Sequence, residues 1–488
     1  MPSLPTLGVG VAWFSGLAPL LAAEPGLVDV IEVEPQTLWL QPDPAIGSYR
    51  VDPQALASLR RLPGRKILHG IGFAVGGTLE PEAGQFPPLL EMREALDCPW
   101  ASEHLSFNRA RGEDGVFTTG FLLPPRQTAA GAARAASSIR AMAARLPVPL
   151  AVETGVNYLR PRADELADGE FVARVVEEAD CGILLDLHNL WCNERNGRQP
   201  IAEVLRAIPL ERVWEVHLAG GFERRGYWLD SHSGAIPAPL AALAAEVLPR
   251  LPNLRALVYE LFPSYLPLVG LDTVKRELER LRELWHARER AGAARTLEPP
   301  VATEVSRPDG PSPEAWENAL GALVVGREPD SPLARELAAD PGVGVTRELL
   351  GEFRGSMVVE VLKLSFRAIA LSRGPALFDE ALAGYWARTA PERFGSAEAA
   401  GFAEHLAGLA LDVPYLDEVL AFERAALATL LDGRPRVVPF RHDPMLLLRP
   451  LAEGRLPLEP AVGEFEVEVT PPEGSGGLDP VARTEDAA

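Results

Sequence analysis

The stretch Gly182–Asn193, GILLDLHNLWCN, starts with a glycine and three aliphatic residues and then turns polar at Asp186, His188 and Asn189. A short, uninterrupted apolar run of this kind suits a strand buried on both faces of a parallel sheet, with its chemistry at the C-terminal end. Working outward, the pattern repeats at Leu7–Trp13, Val28–Glu34, Lys66–Gly72, Trp100–Phe107, Pro149–Thr154, Gly182–Asn189, Val213–Ala219 and Ala256–Leu261. Helical segments lie between the runs: Pro53–Arg61, Pro87–Leu96, Thr128–Leu146, Glu165–Ala179 and Leu240–Leu251. Strict β/α alternation implies parallel strands joined by helical crossovers. Eight units before Trp285 predict an α/β fold, a (β/α)8 TIM barrel. A doubly wound sheet is the alternative, but Gly8 and Gly10 form a GxG without a third glycine, and no GxxxxGK[ST] occurs.

Beyond the barrel, assigned to residues 1–286, the composition shifts. Residues 287–313, rich in Ala, Pro and charge, read as a linker. Residues 314–469 read as a mostly helical domain with a small β-rich end: Leu349–Leu371 and Val413–Leu431 show helical spacing, and Arg436–Phe440 and Glu464–Val469 are β-like. Residues 470–488 have the composition of a disordered tail.

The 488 residues carry 47 Lys plus Arg against 68 Asp plus Glu, a formal charge of −21. Counterion release from nucleic acid and attraction to anionic lipid both need a basic face, so neither is an expected partner. Cys98, Cys181 and Cys192 form no CxxC pair, which argues against a disulfide framework or a Cys-rich zinc site. The N-terminus lacks the pattern of a signal peptide, and no apolar run is long enough to span a bilayer. The expectation is a soluble, cytoplasmic protein.

From the third strand onward, each run ends in ionisable residues. These are His69 in LHG, Glu103 and His104 in SEHLSF, Glu153 and Asn157 in VETGVN, Asp186, His188 and Asn189 in LDLHN, His217 in VHLAG, Asp230 and His232 in LDSHSG, and Glu260 in VYELF. Five of the eight histidines fall in this set. In a barrel they share one rim, where such folds place active sites. Carboxylates and imidazoles crowded there need a cation, and a His/Asp/Glu set without thiolates suits Fe, Mn or Zn. The donors exceed the needs of one ion, so bridging carboxylates would hold two or three metals. Taken singly, a strand-end His is more often a hydrogen-bonded structural residue than a ligand. Asn157, Asn189 and Glu103 fit a supporting role, and His188 either ligates or hydrogen-bonds. His286, His405 and His442 lie outside the pattern. The Asp–His–Ser run in LDSHSG lacks the GxSxG elbow of a hydrolase.

The series LHGIG, SEHLSF, VETGVNYL, LLDLHNLWCN, EVHLAGG, LDSHSG and VYELF resembles the multinuclear non-heme iron-dependent oxidative enzymes (MNIO), TIM barrels related to methanobactin biosynthesis. The resemblance implies an oxidoreductase with two or three irons in mixed Fe(II)/Fe(III) states and O2 as co-substrate. It would modify a residue, Cys or another such as Asp, in a ribosomally synthesised precursor peptide. It assigns His69, His104, Glu153, Asp186, His217, Asp230, His232 and Glu260 as metal ligands. Asn189 matches an amide of the family motif, while His188 stands where relatives often have Asn. The segment PYLDEVLAFERAAL and the β-rich end after it are similar to the partner proteins of these enzymes. A fused partner would bind the precursor and make a separate one unnecessary, and a late β-run would accept the peptide by strand addition. Two rival functions fit parts of the pattern. One is a divalent-metal TIM-barrel sugar isomerase or phosphoesterase, and the other is a non-catalytic peptide-binding module with structural metal.

Overall fold

Eight short strands close into one parallel barrel: β1 (Gly8–Ala12), β2 (Val30–Val33), β3 (Arg65–Gly70), β4 (Ala101–His104), β5 (Leu150–Glu153), β6 (Gly182–Asp186), β7 (Val213–Ala219) and β8 (Ala256–Glu260). Each pairs with its neighbour in sequence, and β8 returns to β1 through Gly8↔Ala256 and Val11↔Tyr259. This computed structural model describes residues 3–42, 48–291, 310–327 and 330–471. The expected linker falls mostly, and the expected tail almost wholly, outside those residues. Among the described residues no helix is long and apolar enough to cross a membrane.

The barrel interior is built in layers, because alternate residues of a strand point to the same side. Leu4, Val30, Ile67, Trp100, Ala151, Trp214, Ala256 and Val258 form an apolar plug toward the N-terminal ends of the strands. Two residues further along come Glu32, His69, Ser102, Glu153 and Glu260, all buried. On β7 the register shifts: Ile183 pairs with Val213 but Leu184 with Glu215. The bulge turns both Glu215 and His217 inward above Trp214. Strand β6 is shorter than the sequence suggests. Asp186 Oδ1 accepts the Asn189 amide at 2.8 Å and caps helix α1 (Leu187–Arg195), so His188 and Asn189 lie in a first helical turn. Two hairpins that the β/α reading passes over, Phe107–Gly112 with Gly115–Leu123 and Phe222–Arg224 with Tyr227–Leu229, leave the same end of the barrel.

The chain divides into two units, one of Met1–Leu38 with Ser58–Glu348 and one of Trp39–Ala57 with Leu349–Ala488. Helix α2 (Pro313–Val324), which the sequence reading put in the second domain, is in the barrel's unit. Its Trp316 is fully buried, donates Nε1–H to the Pro124 carbonyl at 3.0 Å, and lies 4.9 Å beneath the Arg126 guanidinium. The adjacent Glu317 accepts from the Thr78 amide and hydroxyl at 2.9 and 2.5 Å. Helical periodicity shows that a face is buried but does not name the surface that buries it.

The second unit packs Val358, Ile369, Phe378, Phe402 and Val419 into one core. The expected helix Leu349–Leu371 is two helices, α3 (Pro341–Val361) and α4 (Lys363–Arg373). The break at Leu362 is stabilised by Glu423, which takes the Leu364 and Ser365 amides at 2.6 and 2.9 Å. Helix α5 (Leu416–Asp432) ends against Arg50, which donates to the Leu430 and Leu431 carbonyls at 3.0 and 3.2 Å. An antiparallel pair, β9 (Arg436–His442) and β10 (Val462–Val469), completes this unit.

Replacing Trp316 with Ala removes a buried aromatic and leaves a cavity, so the barrel unit should lose about 3–5 kcal/mol in denaturant unfolding. A loss below about 1 kcal/mol would show that α2 does not brace it.

Candidate metal centre

The structure brings all eight sequence-predicted ligands together at the C-terminal mouth of the barrel. Three groups, each with donor atoms within 4.8 Å of one another, follow in series: His69, His104 and Glu153; then Glu153, Asp186 and His217; then Asp186, His232 and Glu260. Glu153 belongs to the first two and Asp186 to the last two, the arrangement that bridging carboxylates give to neighbouring cations. Asp230 joins the third group, with Oδ1 2.8 Å from His232 Nε2.

Each imidazole is aimed by its other nitrogen or by stacking. His104 Nδ1 donates to the Gly70 carbonyl at 2.9 Å, which turns Nε2 to Glu153 Oε2 at 2.8 Å. His69 Nδ1 meets Ser102 Oγ at 2.9 Å, and its Nε2 lies 3.4 Å from the same Glu153 oxygen. His217 Nε2 meets Glu32 Oε2 at 3.0 Å, leaving Nδ1 facing Glu260 Oε2 at 3.2 Å. His232 stacks on Phe262 with centroids 4.5 Å apart, and its φ of 41° is left-handed, a strain typical of functional sites.

The other candidates lie beside the cluster and hydrogen-bond to it or to backbone. Asn189 Nδ2 donates to Glu153 Oε1 at 3.2 Å. Glu103 is fully buried but spent on backbone, accepting the Phe73 and His104 amides at 3.1 and 2.9 Å. It fits because residue 70 is glycine; a Cβ there would lie 2.3 Å from Glu103 Oε2. Asn157 accepts the Leu159 amide at 3.0 Å within its own loop. His188 bonds Asp230 Oδ1 through Nδ1 at 2.9 Å. Two further acids, in VIEVEP, stand outside the strand-end series and border the cluster. Glu32 orients His217, and Glu34, the next inward position, is half-buried near His69 and Glu260. The signal was the alternation Val30, Glu32, Glu34, which puts carboxylates where a strand should be apolar.

The charges explain why a cation fits. Burial raises Glu32 to about 8 against the pull of His217. Burial, then Glu260, Asp230 and Glu153, lift Asp186 well above the carboxylate range. Glu153 and Glu260 move oppositely: burial would raise them, but His104 and His69 hold the first down, and His217 and His232 the second. Burial would lower His232, yet Asp230 and Glu260 carry it up to about 10. Without a cation the cluster balances itself with protons. The buried atoms Glu153 Oε2, Asp186 Oδ2, His217 Nδ1, His232 Nε2 and Glu260 Oε2 nevertheless lack a well-aligned hydrogen bond, and the close contacts of Glu153, His217, His232 and Glu260 are with one another and with other donors of the cluster. Orphaned donor atoms converging on shared points, with nitrogen and oxygen but no thiolate among them, fit iron, manganese or zinc.

Residues 8–284 match the family model described as the RiPP precursor modification enzyme MbnB/TglH/ChrH. A UPF0276 protein of Streptomyces avermitilis is 29% identical over 454 residues, covering 90% of this chain and 86% of the relative. A UPF0276 protein of Anaeromyxobacter is 32% identical over 236 residues, covering 47% of this chain and 80% of that protein. A solved D-psicose 3-epimerase aligns with 59% of this chain and all of its own at 13% identity, with a TM-score of 0.37.

Glu153→Ala removes the carboxylate shared by two groups, so bound metal per chain should fall while the far-ultraviolet circular dichroism stays unchanged. Full metal content in the variant would take Glu153 out of the centre. Because His232 keeps its proton up to about 10, an entering cation must displace protons. Zinc affinity should therefore rise from about pH 6 to about pH 9, with proton release visible as a buffer-dependent heat in titration calorimetry. A pH-independent affinity would contradict this.

Proposed function

The chain belongs to the MbnB/TglH/ChrH family of RiPP precursor modification enzymes, and on that premise we propose that it uses iron and O2 to oxidise a residue, Cys or another such as Asp, in a ribosomally synthesised peptide. The observation that carries this reading is the series of three donor groups joined through Glu153 and Asp186. His69, His104, Glu153, Asp186, His217, Asp230, His232 and Glu260 would hold the metals. Iron held by these residues would supply redox chemistry with O2 and the Lewis acidity that favours the thiolate form of a substrate thiol.

The protein's own residues set orientation and access. Glu32, Ser102 and the Gly70 carbonyl fix the imidazoles before substrate arrives, so little reorganisation accompanies binding. Solvent reaches the cluster chiefly at His104 and Asp230, with side chains 18% and 20% exposed, while Glu32 and His217 are sealed. A peptide side chain enters at these exposed ligands. The apolar plug below closes the other end to water.

Precursor recognition is assigned to the second unit. Its two-stranded sheet has unequal edges. On β9, Pro439 has no N–H to offer, and Glu418 Oε2 already holds the Arg441 and His442 amides at 2.7 and 3.1 Å. Among the described residues β10 pairs only with β9, so its outer edge is free for an extended peptide.

The test is to load the full chain with Fe(II) and add a candidate precursor. Peptide-dependent O2 uptake and a mass change in the peptide are expected. Turnover with zinc or manganese and no O2 would overturn the oxidative reading. A core peptide stripped of its recognition segment should react mainly with a raised KM, since tethering supplies a high local concentration. Equal kcat/KM for stripped and complete peptides would count against the second unit's role.

A further inference from the structure

We propose that His188 is a positioning residue for Asp230 and not a metal ligand, and that the indole of Trp228 enforces this by locking the imidazole in one tautomer. The inference rests on reading the cluster as a metal centre. At first sight His188 is a ligand: with Cys192 and Asp230 it forms a further trio whose donor atoms lie within 4.8 Å of one another. The hydrogen bonds say otherwise. The ring is fully buried, and its Nε2 lies 3.2 Å from Trp228 Nε1. An indole N–H only donates, so Nε2 must be the unprotonated acceptor. The proton of the neutral ring then sits on Nδ1, 2.9 Å from Asp230 Oδ1, and is donated to that carboxylate. One nitrogen carries the proton and the other has its lone pair committed, so neither can bind a cation.

The surroundings hold this arrangement from several sides. Trp228 sits on the hairpin strand Tyr227–Leu229, and both its backbone polar groups pair with the Asn196 side chain, at 2.8 and 2.9 Å. The Arg195 guanidinium lies 4.7 Å over its ring. Residue 221 is glycine where a Cβ would stand 2.6 Å from His188 Nε2 and 2.8 Å from Trp228 Nε1, so any side chain there would part the two rings. At the far end, the Asp230 amide donates to the Tyr158 hydroxyl at 3.0 Å. Asp230 is thus fixed by backbone and side chain together, with His188 occupying one lone pair of Oδ1 and directing the rest of the carboxylate to His232 and the metal.

The direct test is long-range 1H–15N NMR of 15N-histidine-labelled full chain, metal-free and with Zn(II) as a diamagnetic probe. The His188 signals are identified by their loss in His188→Asn. A neutral ring protonated at Nδ1 is expected in both states, while other histidines of the cluster shift on adding zinc. A charged ring, protonation at Nε2, or a zinc-induced shift at His188 Nε2 overturns the proposal. If no histidine responds to zinc, the metal-centre reading fails instead, and the metal-free spectrum still decides the tautomer. Zinc titration supplies the second measurement. His188→Ala should weaken zinc binding by about 10- to 100-fold. His188→Asn, whose amide can still donate to Asp230, should recover most of that loss. Equal losses in the two variants would mean that the imidazole itself is the ligand.

Discussion

The structure depends on how buried charges compensate one another at the barrel mouth. Glu32, Glu153, Asp186 and Glu260 lie with His69 and His217 almost wholly out of water. Burying an uncompensated ion costs several kcal/mol even after relaxation, so such a set persists only with shared protons or shared cations. The opposed shifts of Glu153 and Asp186, one held down by imidazoles and one pushed up by burial and like charge, show that protons alone divide the acids into unequal roles. A cation would restore equivalence by letting every carboxylate ionise. The apolar plug of Trp100, Trp214 and their neighbours forms a close-packed floor beneath the donors.

The legible part of this arrangement was whatever strand periodicity could carry. A strand's final inward residue is fixed by counting in twos, so His69, Glu153, Asp186 and Glu260 could be placed from the sequence. Glu32 lies on the second strand, ahead of the series of ionisable strand ends, although VIEVEP shows the same alternation. What could not be read depends on contacts distant in sequence. Nothing local to Arg50 reveals that it closes the end of a helix near Leu430. Nothing local to Trp316 reveals that its pocket is made by Pro124 and Arg126. The break at Leu362 is similar: the run Leu349–Leu371 is helical in composition, and only Glu423, brought up by folding, gives the freed amides of Leu364 and Ser365 a partner.

The second layer of the centre is as specific as the first. Ser102, Glu32, Asn189 and the Gly70 carbonyl each engage one candidate ligand, and each holds it with another donor atom turned toward the cluster. A barrel that supplied the ligands without these braces would let the imidazoles turn outward and pair with backbone. The glycines at 70 and 221 belong to this layer, because the absence of a side chain is what admits Glu103 in one case and the Trp228–His188 pair in the other.

The division of the second unit between Trp39–Ala57 and a segment starting at Leu349 has a consequence for synthesis. The ribosome releases the early piece, with its apolar Trp39, Leu40 and Val51, before all but two of the barrel strands exist, and its partners follow only after every barrel strand has emerged. At about 5–20 residues per second the wait is tens of seconds, far longer than local collapse requires. Loop-closure entropy rises only as the logarithm of the separation, so the delay is a kinetic burden more than a thermodynamic one. All eight barrel strands are therefore synthesised before the segment that completes the second unit. Until residues beyond Leu349 are made, Trp39, Leu40 and Val51 lack the rest of the unit in which they are buried.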